Sequence, residues 1–158
     1  MKDIGRVRLA HEIPLDVSDS PEDEVFFITI CCLPRAKNQL ARADVWQVID
    51  ETLRVREANG EIRVRLMLAM PDHLHGLFTF SGKKPMSRVL ASFKEWVAKK
   101  CAVEWQRDYF DHRLRSAESA AEKAAYIRLN PVRAGLVEDP RDWPFQREGP
   151  SSASAASR

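Results

Sequence analysis

The sequence predicts an α+β domain in which helices pack on one face of an antiparallel sheet. Short stretches rich in β-branched and aromatic residues, at 25–32, 62–69 and 73–80, are separated by longer stretches of helical apolar spacing, at 41–57 and 86–103. A further strand-like stretch at 109–115 and a helix-like one at 116–129 follow, so the predicted order is β-α-β-β-α-β-α. That order is the ferredoxin-like arrangement, RRM-like in outline, in which one sheet face is expected to stay open as a platform.

Each element has a local reason. Residues 1–24 are polar and acidic and are interrupted by Pro14 and Pro21, which reads as a tail or loop. The run 25–32, Val-Phe-Phe-Ile-Thr-Ile-Cys-Cys, is stopped by Pro34 and is expected to be buried on both faces. Val45, Val48, Ile49 and Leu53 form the stripe of the first helix, which should end near Asn59-Gly60. Ile62, Val64, Leu66 and Leu68 alternate with Arg63, Arg65, Met67 and Ala69 as a strand, and Pro71, unable to donate to a ladder, separates it from the next. Val89, Leu90, Phe93, Trp96 and Val97 predict the inner stripe of the second helix, with Lys94, Lys99 and Lys100 outward. Ser116, followed three residues later by Ser119 with Glu118 between, caps the last helix, and Asn130-Pro131 is expected to close it. Trp143-Pro144-Phe145 can fold back as a small apolar anchor. The reading is one domain over 25–147, with an N-terminal segment 1–24 and a Ser/Ala-rich tail 148–158 expected to be disordered.

Composition narrows the function classes. The chain has 158 residues, 44% apolar and 30% charged, enough to bury a core without disulfides. Its net charge of +2 hides an asymmetry: residues 81–137 carry twelve Lys or Arg against six Asp or Glu, a net +6, whereas residues 1–25 are net −4. Cys31, Cys32 and Cys101 form neither a disulfide framework nor a Cys-x-x-Cys knuckle. No signal-peptide core or membrane-spanning run is visible, so no membrane partner and a cytoplasmic location are expected.

The chemistry centres on Met70-Pro71-Asp72-His73-Leu74-His75-Gly76. In a strand, His73 and His75 share one face and Leu74, Gly76 and Phe78 the other. Two imidazoles so placed suit one divalent cation but need a third ligand from elsewhere. Tyr126 and Asn130, four residues apart, project from one side of the last helix. By spacing alone, either is an ordinary rim residue or helix stop.

Met70-Pro71-Asp72-His73-Leu74-His75, then Trp105-Gln106 with Phe110-Asp111-His112-Arg113-Leu114-Arg115, then Tyr126-Ile127-Arg128-Leu129-Asn130-Pro131-Val132-Arg133-Ala134-Gly135-Leu136-Val137 resemble the REP-associated tyrosine transposases. These are relatives of the single-tyrosine, His-hydrophobic-His insertion-sequence enzymes. The resemblance implies that His73 and His75 hold Mg or Mn, that Asn130 is the third, helix-borne ligand, and that Tyr126 is the nucleophile, making the C-terminal helix catalytic. It implies a transposase that cleaves and rejoins single-stranded DNA beside a hairpin through a 5′-phosphotyrosine. A monomer is favoured, with a homodimer as the alternative. Lys94, Lys99, Lys100, Arg113, Arg115, Arg128 and Arg133 are candidate phosphate contacts. Trp46, Trp96, Trp105 and Trp143 could stack on bases, with core packing expected for Trp96. His112 stays outside the catalytic set, and Tyr109 is the second choice of nucleophile. The rival readings are a hairpin-binding regulatory module without catalysis, a metal-dependent nuclease in which water attacks, and, ranked below both, an RNA-binding domain of similar topology.

Overall fold

Alternating apolar side chains build the sheet from its centre outward. In the computed structural model, which describes residues 24–149, the strands are β1 (Val25–Cys31), β2 (Ile62–Ala69), β3 (His73–Phe80), β4 (Phe110–Leu114) and β5 (Gln146–Glu148). The helices are α1 (Ala43–Ala58), α2 (Met86–Cys101) and α3 (Ala117–Arg133), and a single 3-10 turn spans Pro140–Asp142. The five strands are antiparallel in the order β4-β1-β3-β2-β5. The first four follow the ferredoxin-like order, and β5, which no alternation in the sequence signals, adds an edge. The expectations for residues 1–23 and 150–158 lie outside the described residues.

Each sheet face has its own core. Ile28, Ile30, Val64, Met67, Leu74 and Phe78 pack against Val45, Ile49 and Leu53 of α1 and Val89, Leu90, Phe93 and Val97 of α2. Phe27, Leu66, Leu68 and Leu77 pack on the other side with Ile127 of α3 and Trp143. The expected open face is therefore covered by α3. Its cover is the 17-residue α3, a segment remote in sequence from β1, β2 and β3 and so beyond the reach of strand periodicity.

The uniform alternation expected of β2 also breaks. A register shift between Val64 and Leu66 puts Ile62 and Val64 in the α1/α2 core but Leu66 and Leu68 in the α3 core. Trp96 is 47% exposed, contrary to its expected core position. Val89, Leu90, Phe93 and Val97 fill the inner stripe of α2 without it.

The cap on α3 forms as the sequence predicts. The Ser116 hydroxyl accepts from the Ser119 N–H, and the Ser119 side chain accepts from the Ser116 N–H. The helix does not stop at Asn130-Pro131; it runs through Pro131 to Arg133. Termination comes from Gly135 at φ 74°, where Leu136 N–H donates to the Pro131 carbonyl and Gly135 N–H to that of Val132. This paired closure is a Schellman turn. Among the described residues no helix is long and apolar enough to cross a membrane.

Candidate active site

Period-2 geometry puts the two histidines where they were expected, on one face of β3. His75 is in register with Thr29 of β1 and Leu68 of β2, and His73 with Cys31. The imidazole centroids are 4.6 Å apart at 75°. Each ring is oriented through Nδ1: that of His75 pairs with Thr29 Oγ1 at 3.0 Å, and that of His73 with Asp72 Oδ1 at 2.8 Å. An ionised carboxylate can only accept, so His73 donates from Nδ1, which leaves Nε2 as the nitrogen not engaged by Asp72. This is the outer-sphere pattern that prepares an imidazole to bind a cation.

Asp72 is itself fixed. Its other oxygen accepts from Arg35 Nε at 3.0 Å, and its backbone carbonyl accepts from Cys32 N–H at 2.8 Å. Burial raises the carboxyl, but the hydrogen bonds and charges of His73 and Arg35 outweigh it and leave Asp72 below its ordinary pKa. Pro71, which donates nothing, accepts at its carbonyl from Gln39 and Leu40 N–H and so ties those two residues to the motif. The neighbouring thiols are kept protonated: burial foremost, with Asp72 and Cys31 adding to it, pushes Cys32 up to about 12, and burial raises Cys31.

Helix α3 lays Tyr126 over this face. Lys123 and Ile127 are buried against the sheet, and Tyr126 is half-buried beside them. The Tyr126 and His75 ring centroids are 6.2 Å apart at 64°. His75 also lies 5.3 Å from the Phe27 ring. Two cations attend the phenol: Arg133, whose guanidinium carbon is 4.2 Å from the ring centroid, and Lys123, whose Nζ is 5.6 Å from it. Arg133 also donates to the Tyr126 backbone carbonyl at 2.6 Å.

The candidate nucleophile Tyr126 and the candidate ligand His75, 51 positions apart, thus meet. Asn130 is half-buried one turn further along α3, its backbone carbonyl accepting from Ala134 N–H. Among the described residues no three His, Cys, Asp or Glu side chains are grouped to hold a metal ion. Asn130 carries an amide, a donor of another type, on the helix that carries Tyr126.

The seven candidate phosphate contacts do not form one patch. Lys94, Lys99 and Lys100 lie on α2, whereas Arg128 and Arg133 lie on α3, across the sheet. Lys94 donates to the carbonyls of Gln106 and Arg107 at 2.8 and 3.0 Å, and burial lowers its pKa, so it ties a loop. Lys100 sits 4.9 Å from the Trp96 ring, Arg113 pairs with Glu24, and Arg128 with Glu148. Lys99 and Arg115 are exposed. Tyr109 packs against the α1/α2 core, and burial, then Asp111, raises its phenol. His112 is in register with Phe27, on the α3 face.

Sequence reasoning missed Thr29, Arg35 and Lys123. Thr29 was hidden in an apolar strand and Arg35 in a loop. Lys123 had one usable signal, its place three residues before Tyr126 on the same helical face.

No family model matches the chain. A REP-associated tyrosine transposase of Escherichia coli K12 is 27% identical over 85 residues, 52% of this chain and 52% of that protein. A Haemophilus influenzae relative is 42% identical over 41 residues, 26% of this chain and 23% of its own length. The matched stretches thus span about half, or less, of these curated relatives. The solved structure of a REP-associated tyrosine transposase bound to a REP hairpin superposes with a TM-score of 0.70 at 20% identity, covering 85% of this chain and 82% of that one. In sequence over about half its length, and in fold over most of it, this chain is similar to the REP-associated tyrosine transposases.

Proposed function

We propose that this chain is a transposase-type DNA strand transferase that cuts and rejoins single-stranded DNA beside a hairpin, with Tyr126 as nucleophile. The observation that carries this reading is the meeting of the Tyr126 ring with His75, itself paired edge-on with His73. The E. coli relative's name and the hairpin held by the structural neighbour support it. His73 and His75, with Asn130, would hold a divalent cation, Mg or Mn, which when bound supplies Lewis acidity at the non-bridging oxygens of the scissile phosphate.

The residues' own work is nucleophilic. The Tyr126 oxygen attacks phosphorus, the phenolic proton leaves to solvent, and the bond to the 3′ oxygen breaks with protonation of that oxygen. The products are a 5′-phosphotyrosine and a free 3′-hydroxyl, and the reverse step rejoins ends without a nucleotide cofactor. Asp72 and Thr29 keep the two imidazoles oriented. Arg133, beside Tyr126 and exposed, is placed to meet a phosphate.

The test incubates the protein with 5′- and 3′-labelled single-stranded hairpin DNA and Mn or Mg, with Tyr126→Phe and His73→Ala alongside. The expected result is a metal-dependent protein–DNA adduct absent from both variants. Cleavage surviving Tyr126→Phe would replace this reading with water attack or with Tyr109. Hairpin binding with no cleavage would replace it with a regulatory module.

A further inference from the structure

Lysine is rarely buried, because taking an ammonium out of water costs several kcal/mol unless the surroundings compensate. Lys123 is nevertheless only 4% exposed, in the middle of the interface between α3 and the sheet. Its Nζ lies 4.9 Å from the Phe27 ring centroid and 5.6 Å from that of Tyr126, so the charge meets two aromatic rings. Phe27 is also 5.3 Å from His75, and His112 stands beside it in register on β4. The buried ammonium therefore sits inside the same cluster as Tyr126 and His75. Arg133 meets the Tyr126 ring from the other direction along the helix.

We propose that Lys123 is a positioning residue for Tyr126: its buried ammonium holds the phenol ring over the histidine face and keeps a fixed positive charge beside it as the phosphate is attacked. This rests on Tyr126 being the nucleophile. A lysine that only fills space at the interface would act on stability and leave the reaction alone. A positioning role acts on the rate of attack and not on hairpin affinity, because Lys123 is buried with its Nζ against the Phe27 and Tyr126 rings.

Lys123→Met, which keeps the length and apolar stem, and Lys123→Arg, which keeps the charge, separate these roles. Single-turnover adduct formation at saturating labelled hairpin and Mn is measured with hairpin affinity and the thermal midpoint. Lys123→Met is expected to slow adduct formation about 10- to 100-fold, the scale of a misplaced reacting group, with affinity within about twofold of the parent. Lys123→Arg is expected to recover most of that rate. A Met variant that reacts at the parent rate overturns the inference, and so does an Arg variant as slow as Met, because charge is then not what matters. Should Lys123→Met be unfolded at the assay temperature, all three proteins are compared below its thermal midpoint, where the same outcomes decide. An adduct that requires Tyr126 but ignores Lys123 sinks only this inference; an adduct indifferent to Tyr126→Phe sinks the proposed function and this inference together.

Discussion

Gly76 follows the second histidine because Phe78 lies over it. A Cβ at position 76 would come within 2.1 Å of the Phe78 ring, which is 1% exposed and belongs to the α1/α2 core. Gly76→Ala must move that ring, and overpacking of this kind costs about 1–3 kcal/mol; a lower urea midpoint is the expected reading. Asp72 has the complementary role on the other face. Asp72→Asn removes the charge that joins Arg35 to His73 and is expected to cost about 1–3 kcal/mol, on the scale of a charge-assisted hydrogen bond. Both the shared face of His73 and His75 and the helical alignment of Tyr126 with Asn130 follow from residue periodicity, which is why they were legible. The burial of His75, 0% exposed, was not: it depends on α3, more than forty positions away.

At the scale of elements, the places where sequence reasoning held are those governed by local chemistry. The Ser116–Ser119 cap is one, and Ser116→Ala is expected to cost about 1 kcal/mol, read as faster amide exchange confined at first to the opening turn of α3. Asn59-Gly60 is another, with Gly60 at φ 72° directly after α1. The failures come where one element answers to another. Pro131 is a helix breaker by itself, yet it is buried near the end of a helix already anchored by Lys123 and Ile127, and the turn at Gly135 supplies the stop. The shift at Val64/Leu66 lets β2 feed two cores, and no alternation of apolar residues reports a one-residue slip in register.

Across the whole molecule, the last segment joins the two layers. Arg147 of β5 reaches Asp50 and Glu57 of α1 at 2.6 and 2.7 Å, on the face away from α3. Trp143 turns to the α3 side, where it is 8% exposed among Leu66, Leu68 and Ile127. Its Nε1 donates to the Ala69 carbonyl at 3.0 Å, while Ala69 N–H donates to Phe145 at 2.8 Å. The helix that carries Tyr126 therefore rests in part on the C-terminal segment. Trp143→Ala is expected to cost roughly 3–5 kcal/mol, the usual range for a buried aromatic truncated to Ala. Because the α1/α2 core lies beyond the sheet, amide exchange should accelerate first in α3 and least in α1 and α2. Adduct formation should fall with the loosening of α3, since Tyr126 rides on it. Uniform acceleration across all three helices would show instead that the two cores open as one cooperative unit, and that α3 cannot move independently of the sheet it covers.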